Sequence, residues 1–253
     1  MKLGDLNKLQ YLRGYLSIRG IGNVQDAGDA ERAKLLNKQN LTCLKLNFSQ
    51  DSGVQRTEDE SAALLEALRP PLNLVYLQIT RYRGAKFPNW MVSLVSLRIL
   101  ILNRCHNCYL LPPLGKLPLL KALRMNYMDK VEEVGLEFLG VETGSNTTEL
   151  ESFSVSFPKL EELRFVGLSS WKQWLGVRYT TSSLKIMPSL RFLEISNCEI
   201  LEALPEFLPT MPVQELVIDN CPILERRCQK EAGEEWHLIS HIQNIEIKNS
   251  SGQ

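Results

Sequence analysis

Neither sign of charge is in excess in this 253-residue chain, where 29 lysines and arginines face 29 aspartates and glutamates. A surface tuned throughout for nucleic acid or anionic lipid is thereby excluded, although a local patch is not. No stretch approaches the run of about 18 apolar residues that a spanning helix needs. The longest candidate, 97–102, is interrupted by Arg98 and bounded by Asn103. Near the start, Gly4, Asp5, Asn7 and Lys8 break any apolar segment after Lys2, so no secretory signal is expected and a cytoplasmic placement follows. Six cysteines in a chain this long do not describe a disulfide-stapled mini-domain.

Catalytic signatures are missing as well. Gly115-Lys116 is followed by Leu117 and has no leading glycine, so it is no phosphate loop. Gly20, Gly22 and Gly28 do not open a dinucleotide fingerprint, and no G-x-S-x-G elbow occurs. Cys105 and Cys108 form a C-x-x-C without a second pair at finger spacing. Only three histidines are present, and His237 and His241 read as part of a turn before a final strand. The sequence therefore predicts a non-enzymatic chain with no catalytic residue, no metal and no cofactor.

Leucine is what the chain has in abundance, at 43 positions. The pattern L-x-x-L-x-L-x-x recurs with first positions Leu41, Leu74, Leu97, Leu120, Leu160, Leu190, Val213 and Ile242. A weaker strand lies around Tyr15, Leu16 and Ile18. The steps from Leu41 onward are 33, 23, 23, 40, 30, 23 and 29 residues. Three steps of 23 match the period of leucine-rich repeats, and the longer ones require insertions.

The L-x-L core alternates with period two and so forms a short strand with one apolar face. Such a strand cannot bury that face alone, and stacking successive units into a parallel sheet builds a continuous core. The expected fold is an α/β solenoid. It is a leucine-rich repeat arc with a short-stranded parallel sheet on its concave face and irregular loops and short helices on its convex face. We read residues 1–253 as a single domain of about nine irregular repeats, with insertions near 49–71, 129–157 and 169–186. Thr57 to Glu60 forms a capping box that predicts a helix from about residue 58 to 68, ahead of Pro70 and Pro71. Residues 25–38 predict a second short helix, and 129–139 one or two helical turns. Cys105, Cys198 and Cys221 each follow their strand at the position where a small side chain turns inward. Trp171 and Trp174 admit two readings: core plugs beneath an irregular repeat, or exposure to a partner.

What remains is a surface. The x positions of the strands face the concave side. They nominate a protein-binding face of Tyr76, Gln78, Arg81, Arg98, Ile99, Ile101, Arg104, Lys121, Arg124, Tyr127, Glu162, Arg164, Arg191, Phe192 and Glu194. Acidic residues enter this set only from the fourth of these repeats onward, so overall neutrality conceals a gradient that suits oriented protein docking. Arg81, Arg98, Arg104 and Arg124 are expected to form one neighbouring row.

Specific motifs then carry a resemblance. The run G-x-x-F-P-x-W-M (Gly84, Phe87, Pro88, Trp90, Met91), the segment from Cys105 to Pro118 with L-P-P-L-G-x-L-P, and V-G-x-E-F-L-G from Val134 to Gly140 are similar to the leucine-rich region of plant intracellular disease resistance proteins. These are immune receptors with coiled-coil, nucleotide-binding and repeat domains; the first two kinds of domain find no counterpart in this chain. The resemblance implies recognition of a pathogen effector, a guarded host protein or the nucleotide-binding domain of a receptor, while the charge gradient suits protein docking better than a nucleic-acid track, so no nucleic-acid partner is expected. The alternatives are a structural or adaptor repeat scaffold, or a receptor fragment without a signalling role.

Overall fold

The computed structural model describes residues 2–50, 56–141, 155–175 and 184–248. Each L-x-L core becomes a strand, and the strands join one parallel sheet in chain order. They are β1 (Arg13–Ile18), β2 (Asn40–Asn47), β3 (Tyr76–Thr80), β4 (Ile99–Asn103), β5 (Ala122–Asn126), β8 (Glu162–Val166), β11 (Phe192–Ser196), β12 (Glu215–Asp219) and β13 (Asn244–Lys248). The register aligns equivalent core positions without slippage from β2 onward. Leu44, Leu77, Leu100, Leu123, Leu163, Leu193 and Leu216 form one fully buried row. Leu46, Ile79, Leu102, Met125, Phe165, Ile195 and Ile218 form the next. This is the leucine-rich repeat solenoid that the spacing predicts. Only β1 is irregular: Gly14, at φ 72°, makes a bulge against β2.

The predicted helix is α2 (Glu58–Ala67), and its capping box is formed. Thr57 Oγ1 accepts from the Glu60 amide at 3.2 Å, while Glu60 Oε2 accepts from the Thr57 amide at 2.9 Å, so two donors that the first turn leaves unpaired are satisfied. Helix α1 (Ala27–Arg32) falls within the second helical stretch and is capped by Asp26, whose Oδ1 accepts from Gly28 N at 2.8 Å. Two further short helices close the far end, α3 (Pro222–Arg227) and α4 (Trp236–Ile239).

Residues 129–139 depart from the helical expectation. They hold the two-residue strand β6 (Glu133–Val134), which pairs with β9 (Gln173–Trp174). Val131, Val134 and Phe138 are buried at a spacing that imitates a helix face, but their backbone turns to the neighbouring repeat instead. Lys172 N donates to Glu132 O at 2.9 Å and Leu175 N to Val134 O at 2.8 Å. A similar short ladder joins β7 (Val155–Ser156) to β10 (Lys185–Ile186). These minor ladders stitch the repeats together on the side of the core away from the main sheet.

The long repeats around β8 enclose a wider core, and aromatic rings fill it. Phe165 lies 4.7 Å from Trp171, 5.2 Å from Trp174 and 6.2 Å from Phe138, measured between ring centroids. Trp171 is fully buried and Trp174 nearly so. Of the two readings of these tryptophans, the core plug is the one observed. Cys105, Cys198 and Cys221 are buried as their register predicts. The Cys105 thiol faces the Asn103 and Ile79 carbonyls, and burial pushes its pKa up to about 12. The Cys105 thiol is thus a neutral donor to the backbone rather than a nucleophile.

Candidate protein-binding face

Alternation along each strand sends every second residue to the concave side, and the shared register sorts these residues into rows. Backbone hydrogen bonds that run from repeat to repeat align Arg98, Lys121, Glu161 and Arg191 just before the strands. The first strand row reads Tyr76, Ile99, Ala122, Glu162, Phe192. The next reads Gln78, Ile101, Arg124, Arg164, Glu194. Just past the strands, Arg81, Arg104 and Tyr127 occupy equivalent positions. The four arginines expected to neighbour one another therefore fall in three registers, and only Arg81 and Arg104 share one. An arginine's row is set by its offset within the repeat, and Arg98 and Arg124 differ from that pair in offset.

The centre of the face is a chain of alternating charges. Arg124 Nε donates to Glu162 Oε1 at 2.7 Å, and Arg164 Nε reaches the same oxygen at 2.5 Å. Arg164 Nη1 continues to Glu194 Oε2 at 2.5 Å, and Glu194 Oε1 accepts from Ser196 Oγ at 3.0 Å. The guanidinium of Arg164 also sits 4.4 Å from the centre of the Phe192 ring. To one side, Lys121 and Glu161 pair at 2.8 Å, both half-exposed. Arg124 and Arg164 are like charges in adjacent strands, and Glu162 lies between them to neutralise the repulsion.

Burial opposes ionisation of Glu162, but the hydrogen bonds from Arg124 and Arg164 outweigh it and hold the carboxyl below its ordinary value. A carboxyl whose pKa is depressed by folding contributes stability that is complete above its unfolded pKa and lost as pH falls through its folded one. Glu162→Gln is accordingly expected to lower the denaturation midpoint near neutrality. It should also flatten the loss of stability below about pH 4.5 relative to the wild type, measured by urea titrations across that range.

Toward the start of the sheet the face is aromatic. Lys45 Nζ lies 5.6 Å from the Tyr15 ring centre and 5.5 Å from that of Tyr76. The Tyr76 hydroxyl donates to Gln78 Oε1 at 3.0 Å, and burial raises the Tyr76 pKa, so this hydroxyl keeps its proton. Lys45 was not among the residues nominated from the sequence. Its place between Leu44 and Leu46, in the same x position as Gln78 between Leu77 and Ile79, was the available signal.

The row past the strands carries a different feature. Arg81 (φ 59°), Arg104 (φ 56°) and Tyr127 (φ 55°) adopt the left-handed conformation, and their amides donate across to the next strand at 2.7–2.8 Å. The same position in later repeats is filled by Gly167, Asn197 and Asn220. Glycine and asparagine tolerate that backbone, whereas other residues are disfavoured by about 1–2 kcal/mol. The first repeats thus hold large side chains where a small one is easier.

A nine-stranded parallel sheet, rows of equivalent side chains and inward cysteines at the strand ends together define a leucine-rich repeat protein. The family model described as R13L1/DRL21 leucine-rich repeats matches residues 3–128. An Arabidopsis thaliana protein described as putative disease resistance RPP13-like protein 1 is 32% identical over 98% of this chain, which covers 23% of that protein. Two Solanum bulbocastanum proteins are similar over 97% of the chain. The putative disease resistance protein RGA4 is 28% identical with 36% of its own length covered, and the disease resistance protein RGA2 is 29% identical with 34% covered. The chain belongs to the leucine-rich repeats of plant disease resistance proteins. It spans between about a quarter and a third of the length of these relatives.

Proposed function

We propose that this chain is a non-enzymatic recognition module of plant defence that works in the cytoplasm and binds a protein on its concave face between Tyr76 and Phe192. The observation that carries this reading is the outward set on β3, β4, β5, β8 and β11. Tyr76, Ile99, Ile101 and Phe192 are apolar or aromatic anchors held on a rigid strand array, and paired charges flank them. Interfaces use anchors of this kind at their centres and charges at their rims. Among the described residues no helix is long and apolar enough to cross a membrane. The partner classes are a pathogen effector, a host protein under guard, or the nucleotide-binding domain of a receptor. Residues 1–253 act as one repeat domain in this reading, and the nominated face supplies the contacts.

Ile99 and Ile101 lie on β4, between Tyr76 and Gln78 of β3 and the charge chain that begins at Arg124, half-buried and pointing outward. Ile99→Asp with Ile101→Asp is expected to leave circular dichroism and Tm close to wild type, because neither side chain is in the core. The same variant should release at least one protein that the wild-type chain captures from plant tissue, scored by quantitative mass spectrometry. Identical captured sets for the two proteins would remove the concave face from the mechanism.

A further inference from the structure

We propose that the cleft at the ends of β3, β4 and β5 binds an acidic segment of the protein partner, with the Arg81 and Arg104 guanidiniums as the carboxylate-binding groups. The proposal rests on the recognition reading above and gives it a defined charge contact.

The cleft has a volume of about 750 Å³ and is lined by Phe48, Tyr82 and Tyr127 together with the arginines 56, 81, 83 and 104, of which Arg56 is tied to the Gly22 carbonyl. That volume suits a few residues of extended chain rather than a whole protein surface. No carboxylate is among its described lining residues. His106 also lines it, but its Nδ1 is engaged by Asp129 Oδ2 at 2.8 Å, so the ring brings no unbalanced charge. Elsewhere on the face Arg124 and Arg164 are neutralised by Glu162 and Glu194, and Lys121 by Glu161, whereas Arg98, Arg191 and Lys45 make no ion pair among the described residues but stand apart from one another. Arg81 and Arg104 are exposed and make no ion pair among the described residues; Arg104 rests over the Tyr127 ring, 5.8 Å from its centre. At this rim two guanidiniums without an ion pair occupy equivalent positions on neighbouring strands, which concentrates charge available to a partner.

Backbone conformation is the second observation. Arginine stands at a left-handed position that the later repeats give to Gly167, Asn197 and Asn220. A disfavoured residue at a site with an easy alternative points to a role for its side chain. Two guanidiniums one strand apart, above an aromatic wall, match carboxylates spaced along an extended acidic peptide.

The later repeats also supply the test, because asparagine fits the same backbone. Arg81→Asn with Arg104→Asn is compared with wild type by fluorescence anisotropy of labelled hexaglutamate, with hexaglutamine as the neutral control. The expected result is hexaglutamate binding that weakens with salt and falls about tenfold to a hundredfold in the variant, while Tm is unchanged or higher. Undiminished binding by the variant would overturn the proposal. So would a lower Tm, which would make the arginines structural, or displacement of the peptide by inorganic phosphate at lower concentration than by unlabelled hexaglutamate, which would make the cleft a small-anion site. The Ile99→Asp, Ile101→Asp variant separates the two readings. If wild type ignores hexaglutamate but still captures a partner that this variant loses, the cleft is wrong and the concave face stands.

Discussion

Gly115→Ala is expected to destabilise the protein by at least about 3 kcal/mol, the upper range for forced overpacking, and to lower Tm accordingly. A Cβ added there would lie 2.0 Å from the Leu139 carbonyl oxygen and 2.4 Å from its carbon. Both are backbone atoms, so no side-chain rotation relieves the collision. Gly115 is also a hydrogen-bonding junction: its amide donates to Phe138 O at 3.0 Å, and its carbonyl accepts from Phe157 N at 2.9 Å. A shift that accommodates the methyl group would break both links between neighbouring repeats. Gly135→Ala is the matched control. Its nearest neighbour would be a Leu175 side-chain atom at 3.8 Å, an ordinary contact, and its Tm should stay close to wild type. Equal effects of the two alanines would show that the backbone approach at Gly115 is unimportant.

Phe165→Ala is expected to cost about 3–5 kcal/mol, the range for deleting a buried aromatic ring. Phe165 is fully buried, and its ring touches Phe138, Trp171 and Trp174. The space it fills sits beneath the longest repeat, where rigid rings on three sides limit collapse into the cavity. Phe192, also a phenylalanine and one strand away, points outward under Arg164. Its replacement by alanine removes one partly exposed cation–π contact and should cost less than about 1 kcal/mol. Denaturant titrations of the two variants compare inward and outward phenylalanines directly, and similar losses would contradict the assignment of faces.

Legibility in the sequence followed element length and contact range. The main strands were readable because Leu100 and Leu102, or Leu123 and Met125, repeat a two-residue alternation against a fixed period. Helix α2 was readable because Thr57 and Glu60 carry its start signal within four positions. Strands β6 and β9 were not, since two residues cannot display a period of two and their pairing joins segments 40 positions apart. For the same reason Glu162 and Arg124 are both nominated from the sequence but their pairing is not: they meet across 38 residues, through an insertion whose length hides the register. The left-handed turns at Arg81, Arg104 and Tyr127 had no local signal, because hydrogen bonds to the next strand impose that backbone on residues that do not favour it. The motif glycine at position 115 was visible, but the reason for it was not, because the atoms it must avoid belong to Leu139.

The strict alternation of faces in β3, β4, β5 and β8 also bears on how such a protein can diversify. Inward residues decide whether the chain folds, outward ones what it meets, and adjacent letters of one strand answer to different selection. A solvent-facing exchange such as one at Ile99 or Gln78 changes stability by about 0.5 kcal/mol or less, so binding preference can drift by single steps while the scaffold persists. Arg124, Glu162, Arg164 and Glu194 are the exception. Loss of any one leaves a half-buried neighbour with an unbalanced charge, so these four should be inherited as a block while the positions around them vary freely.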